Sequence, residues 1–153
     1  MPLDKDDSQE TVVAVVLGFH HPSIDPTEIS ACLQLTPTTS AARGTHYVTV
    51  RGENAEAIHR TSKWALYRYI AASDSDVVDV SEVLRELLSR LELCAAFVRR
   101  LGEEGHGWVG LQFAGAHYRG LEVPPEILAR ASGLKLSFGI EVFPHGFSGS
   151  VRS

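Results

Sequence analysis

The run Thr-Val-Val-Ala-Val-Val-Leu-Gly-Phe-His at residues 11–20 is apolar on both alternating sets of positions. A β-branched run with no wet side belongs near the middle of a covered sheet. A short helix follows. Asp25 can cap it, Pro26 suits its first turn, and Glu28 completes a capping-box-like start. Ile24 and Ile29 stand where a hydrophobic staple would place them, and Thr36-Pro37-Thr38 ends the helix. Residues 38–44 are small and polar and read as a loop. Residues 46–51 and 63–70 are strand candidates joined by a polar connection around Gly52-Glu53-Asn54. That connection is either an open link or a helical turn at residues 55–60. In the second strand Trp64, Leu66 and Ile70 share one face, while Lys63, Tyr67 and Tyr69 share the other.

The most strongly patterned segment spans residues 80–101. Val80, Val83, Leu84, Leu87, Leu88, Leu91, Cys94, Ala95, Val98 and Leu101 keep helical spacing and predict one long helix with one apolar stripe. Asp79 and Glu82 give it a capping-box-like start, and Gly102 or Gly105 a stop. About 22 residues at 1.5 Å each would reach about 33 Å, across a whole sheet. Residues 107–118 then read as a strand and residues 124–132 as a short helix stopped by Gly133. In the last strand Leu134, Leu136, Phe138, Ile140 and Val142 alternate with Lys135, Ser137, Gly139 and Glu141, up to Pro144.

The order β-α-β-β-α-β-α-β predicts an α+β fold with a four- to five-stranded, mainly antiparallel sheet. The long helix is expected to pack across one face. Pro26-Thr27-Glu28-Ile29-Ser30-Ala31 and Pro124-Pro125-Glu126-Ile127-Leu128-Ala129 share Pro-x-Glu-Ile-x-Ala. The echo is either two good helix starts or two related β-α-β halves with ferredoxin-like elements.

A length of 153 residues with 44% apolar content suits one domain, expected over 11–144. Disordered or flexible tails are expected at 1–10 and 145–153. The 19 acidic residues against 14 basic ones leave a net charge of −5, which disfavours a duplex nucleic-acid partner. Cys32 and Cys94 lie among apolar residues, as reduced, buried thiols do, and a cytoplasmic location is expected. The acidic start Met1-Pro2-Leu3-Asp4-Lys5-Asp6-Asp7 has the wrong charge for a signal peptide, and residues 12–19 are too few to span a bilayer.

Catalytic signatures are absent from the pattern. His20 and His21 are adjacent in an extended chain and point to opposite faces, so they cannot easily share one ion. The histidines at 46, 59, 106, 117 and 145 have no zinc-like spacing, so neither metal nor cofactor is expected. Gly102-Glu103-Glu104-Gly105-His106-Gly107 closes a helix, whereas a phosphate loop opens one. No Gly-x-Ser-x-Gly elbow surrounds Ser81 or Ser137. Glu28 and Glu126 could pair as acid and base, but both have helix-capping roles to fill.

One surface stands out. The loop at 36–44 carries hydroxyls and Arg43, and lies beside Lys63, Trp64, Tyr67 and Arg68. Interleaved cations and aromatics suit an acidic or planar partner. The competing reading makes Trp64 core and leaves the cations merely solvated.

Taken in order, Asp25-Pro26-x-Glu28-Ile29, Leu33 to Pro37, Gly44, Trp64, the leucine-rich helix, Gly107, and Pro125-Glu126-Ile127-Leu128 leading to Gly133 resemble the bacterial family called domain of unknown function 4279. The resemblance covers residues 13–143 and implies a small bacterial α+β domain with no assigned activity; it brings no catalytic residue with it. The expected function is that of a non-enzymatic binding module for a protein partner, of immunity or regulatory type, acting as a monomer or weak homodimer. A small-ligand sensor in a sheet–helix cleft is the alternative, and an enzyme of unknown class a distant third.

Overall fold

A computed structural model describes residues 12–71, 79–114 and 120–143. Its first half runs β1 (Val12–His21), α1 (Pro26–Leu33), β2 (Thr39–Ala41), β3 (His46–Val48), β4 (Asn54–Ile58) and β5 (Ser62–Ala71). The second half runs α2 (Ser81–Glu92), α3 (Ala95–Glu104), β6 (His106–Ala114), α4 (Pro125–Gly133) and β7 (Ser137–Phe143). Five strands form one sheet in the order β2-β5-β1-β6-β7, and β3 and β4 form a separate two-stranded ribbon. The sheet is mixed: β6 and β7 are parallel, while the other neighbouring pairs are antiparallel. The fold is therefore α+β, though its element order is richer than the alternation along the chain implies. The tails expected at 1–10 and 145–153, together with His117, lie outside the described residues.

β1 is the central strand, as its unbroken apolar run predicts. Val13, Val15, Leu17 and Phe19 point to the helix side, where they join Trp64, Leu66, Val109 and Leu111 in the core. α1 packs on β5, α3 on β1 and β6, and α4 on β7, while α2 lies against α3 and α4. Ion pairs bridge α2 to α4: Arg85 meets Glu126, and Arg130 grips Glu92 through Nε and Nη2 at 2.7 and 2.9 Å. Glu126 is thus a tether between helices and does not cap its own. The Arg130 guanidinium holds the Glu92 carboxyl below the usual range.

The opposite face carries no helix. Ala14 and Val16 are nevertheless buried there, because the strand's neighbours lie down over them. Trp108 sits directly over Gly18, where a Cβ would collide with the indole ring. His20 meets the same indole edge-on with ring centroids 4.9 Å apart, and His106 stacks on it at 5.6 Å. On the other flank burial raises the Tyr67 phenol above its ordinary pKa, with Tyr69 and Glu141 adding to the effect and a hydrogen bond to Gln112 opposing it.

Four local departures have identifiable causes. The single helix expected over 80–101 is two helices, broken at Cys94, whose backbone is non-helical at φ −121° and ψ 33°. Cys94 Sγ donates to the Cys32 carbonyl at 3.0 Å, which ties the break to α1. The apolar stripe stays in phase across it, since Leu84, Leu87, Leu88, Leu91, Val98 and Leu101 are all buried. The last strand begins at Ser137 instead of residue 134, because Lys135 adopts a left-handed φ of 61°. Residues 39–41, expected as loop, add to β5 as an edge strand. The polar connection beyond residue 51 is neither open link nor helical turn, but supplies β4.

Asp25 caps α1 and Pro26 stands in its first turn, as expected. Asp25 Oδ1 accepts the Thr27 backbone N–H at 2.9 Å and its hydroxyl at 2.8 Å. Those bonds hold the Asp25 carboxyl below its ordinary pKa. The helix ends at Gln34, in left-handed conformation at φ 52°. Both Pro-x-Glu-Ile-x-Ala segments open the helix of a crossover between parallel strands. α4 joins the neighbours β6 and β7, whereas α1 leads from β1 to β2 with β5 between them.

The helix faces give a first prediction. Leu87 and Leu88 are buried and Glu86 is exposed. Leu87→Ala or Leu88→Ala should each cost about 2–5 kcal/mol in urea unfolding, and Glu86→Ala no more than about 0.5 kcal/mol. Equal costs would mean that the face is wrongly assigned. A second concerns His20, whose pKa is lowered by burial and by the charges of Lys63 and His106. The folded chain then holds fewer protons at this ring than the unfolded chain. Its stabilising contribution is complete above the unfolded value of about 6.5, and is lost as the pH falls from there through the lower folded value. His20→Gln should therefore flatten the decline in urea midpoint below about pH 6.5; an unchanged slope contradicts the assignment.

Candidate functional site

The loop singled out by its hydroxyls and Arg43 is the floor of a cleft of about 940 Å³. One wall is the edge strand β2 with the start of α1, contributing Asp25, Thr27, Thr39 and Ser40. The other is the β3–β4 ribbon, contributing His46, Tyr47, Val48, Asn54 and His59. Lys63 of β5 closes one end.

Backbone chemistry explains why the ribbon stands apart. Gly44 and Gly52 both take φ above 80°, a region in which other residues are strained. At Gly52 this closes a turn in which its N–H donates to the Thr49 carbonyl at 2.8 Å. Thr49 N–H donates to the Glu53 carbonyl, also at 2.8 Å. At the base, Gly44 N–H donates to the His59 carbonyl and His59 N–H to the Thr45 carbonyl, each at 2.8 Å. Arg43 N–H is received by Ser62 Oγ at 3.0 Å, which ties the loop to the start of β5. The ribbon is thus hinged on the sheet by its base, while its strands pair only with each other.

Aromatic and cationic groups form the inner wall. Tyr47 and His59 lie ring on ring with centroids 3.8 Å apart, and Lys63 Nζ stands 5.8 Å from the Tyr47 centroid. His59 Nδ1 is shielded from solvent and has no hydrogen-bond partner among the described residues. His46 Nδ1 is satisfied by the Ala55 carbonyl at 2.8 Å. Asp25, although it lines the cleft, is committed to Thr27. The cleft therefore carries one carboxylate, Asp25, and one ammonium, Lys63, among the hydroxyls of Thr39, Ser40 and Thr45. Arg43 is exposed beside it, with Nη1 donating to the Pro22 carbonyl at 3.4 Å. Such a set can receive acceptor-rich, acidic groups.

The five residues marked in the sequence do not converge. Lys63 lines the cleft and Arg43 sits at its rim, as the loop-plus-cation pattern implies. Trp64 is core: it is fully buried against Phe19, and its indole N–H donates to Ser30 Oγ at 2.9 Å. Strand alternation sets Arg68 on Trp64's side of β5, opposite Val15, whereas Tyr67 and Lys63 face the other way. Tyr67 belongs to the aromatic cover of the helix-free sheet face. The ribbon residues Tyr47, Val48, Val50 and Ile58 are what the sequence reading missed. Apolar residues spaced irregularly among polar ones carry no periodic signal; the glycines at 44 and 52 were the available clue.

The histidine pair at the end of β1 divides as alternation requires. His20 faces Trp108, and His21 turns inward to organise the β1–α1 turn. Its Nδ1 accepts the N–H groups of Ser23 and Ile24 at 3.0 and 2.9 Å, and its Nε2 meets Glu104 at 2.8 Å. The two cysteines are both thiols. Burial and the neighbouring Cys94 push the Cys32 thiol up in pKa, which makes it a poor nucleophile. Among the described residues, no group of three histidine, cysteine or acidic side chains is placed to hold a metal ion. Among those residues, too, no helix is long and apolar enough to cross a membrane.

No curated protein and no solved structure matched the chain. A family model does match, over residues 10–143, which takes in both walls of the cleft and all seven of the described strands. The chain belongs to the family described as a domain of unknown function, DUF4279.

Proposed function

We propose that this domain is a non-enzymatic binding module that captures a protein partner, of immunity or regulatory type, with the β3–β4 ribbon and the cleft beneath it. One observation carries the reading. Tyr47, Val48, Val50 and Ile58 are 40%, 68%, 86% and 49% exposed, and all four lie on this one ribbon. A two-stranded ribbon is marginally stable alone, and displaying apolar side chains on it adds no folding energy. Apolar area held in water in this way is characteristic of an interaction surface. Lys63 and Arg43 at its base add charge selectivity for an acidic segment, which an otherwise acidic domain would need. The hydroxyls of Thr39, Ser40 and Thr45 can receive the polar groups of an extended chain laid along the cleft.

A small-ligand sensor is the second reading. The cleft volume of about 940 Å³ is within the range of ligand sites. Against it, the cleft is open to solvent, whereas ligand sites enclose most of the ligand surface.

The test compares the wild-type chain with two multiple variants, Val48→Ser/Val50→Ser/Ile58→Ser and Arg43→Gln/Lys63→Gln. Partners captured from the native cell are quantified by mass spectrometry. Both variants should melt within a few degrees of wild type, since the replaced side chains lie outside the core. The apolar variant should lose the principal partner, and the charge variant should capture less of it at low salt and lose the salt dependence that the wild type shows. A partner captured equally by the apolar variant removes the ribbon from the function. Thermal stabilisation by a metabolite, abolished by the charge variant, would favour the sensor.

A further inference from the structure

We infer that β7 is a self-pairing edge, and that two copies of this chain join there into one continuous ten-stranded sheet. β7 ends the sheet, and no described strand pairs with its outer side. Proteins ordinarily blunt such an edge with proline, lysine, a bulge or a covering element. Ser-Phe-Gly-Ile-Glu-Val-Phe contains neither proline nor lysine, and its register with β6 is regular from Trp108–Ser137 to Ala114–Phe143.

The exposed apolar residues here are a second group, away from the ribbon. Ile140 and Val142 are 58% and 65% exposed, although they stand in register with Leu111 and Phe113 on the helix-bearing side. They extend the core face beyond the last helix. Leu128 of α4, 42% exposed, lies about half a turn of the helix from Glu126 and Arg130, which point to α2. It therefore faces away from α2.

The occupant best suited to this edge is a second β7. Antiparallel pairing about a two-fold axis perpendicular to the sheet keeps the helices of both copies on one side. Centred on Ile140, it sets Ile140 against Ile140, Phe138 against Val142, and Glu141 against Gly139. Apolar side chains then meet only apolar ones on the helix side. Glu141, the strand's only charge, faces a glycine with nothing within 4 Å of its side-chain position. The neighbouring register, centred on Glu141, would oppose two carboxylates directly, an unfavourable cross-strand pair. Charge therefore disfavours the Glu141-centred register.

The full-length chain should sediment at twice its mass of 16.7 kDa at micromolar concentration and dissociate on dilution. Ile140→Lys/Val142→Lys should shift it to monomer with its melting temperature retained. Single cysteines read the register. Antiparallel partners have Cα atoms about 4.5–5.5 Å apart, within disulfide range. Under mild oxidation Ile140→Cys should give a covalent dimer on a non-reducing gel, while wild type and Glu141→Cys stay monomeric. A monomeric mass at every concentration, or a dimer that survives the double lysine variant, overturns the inference. So does Glu141→Cys cross-linking as fast as Ile140→Cys, which also serves should the lysine variant fail to fold.

Discussion

β1 hydrogen-bonds along both edges and is buried on both faces from Val13 to Phe19, although helices cover only one of them. Most of the molecule follows from supplying the missing cover. With no helix on that side, neighbouring strands must provide it from their own side chains. That works only if the floor is low enough for rings to lie flat. Ala14, Gly18 and Gly110 make the floor low, and Trp108, Tyr67 and the imidazole of His20 make the roof. The cost of this solution is borne by titratable groups, which explains why burial shifts both His20 and Tyr67 toward their uncharged forms. The same strand end supplies His21 to the opposite face, where two backbone donors and Glu104 hold the turn into α1.

With the core occupied by β1 and the strands beside it, the ribbon has no place in it. Among the described residues, it is tied to the sheet by the Arg43–Ser62 bond at its base and by Lys63 of β5 beside the Tyr47 ring. A segment so attached can open at low free-energy cost compared with the core. His59 Nδ1, shielded under Tyr47 and without a hydrogen-bond partner among the described residues, is a site that an incoming donor could satisfy.

How far the sequence could be read depended on whether a feature repeats in phase. β1, the leucine stripe and the Asp25 start were legible, because each rests on local spacing or on a single side chain with one strong role. The break at Cys94 was not, since Leu91, Ala95 and Val98 stay on the helical spacing whether or not the helix is continuous. Lys135 hid the true start of β7 for the opposite reason: a non-glycine residue in left-handed conformation leaves the apolar alternation intact. Half of the candidate surface was visible in Arg43 and Lys63, whose residue types advertise it. Trp64 misled because an aromatic between two cations looks the same in sequence whether it faces inward or outward. Only pairing with Phe19 and the bond to Ser30 resolve it.

The two apolar surfaces lie at opposite ends of the sheet, and this separation has a consequence for binding. The ribbon and cleft adjoin β2, and the self-pairing edge is β7, with β5, β1 and β6 between them. Joining two copies at β7 leaves both clefts open. At a strand spacing of about 4.8 Å, it sets the two β2 strands about 43 Å apart across ten strands. Both clefts would lie on one rigid sheet, related by a two-fold axis, so a two-fold partner of matching span could engage them together. The second contact would then form at high effective concentration, and two weak ribbon contacts could act as one strong one. Pairing at β7 would thus give a small, marginally sticky ribbon selectivity for assembled partners over their monomers, without adding a single contact at either cleft.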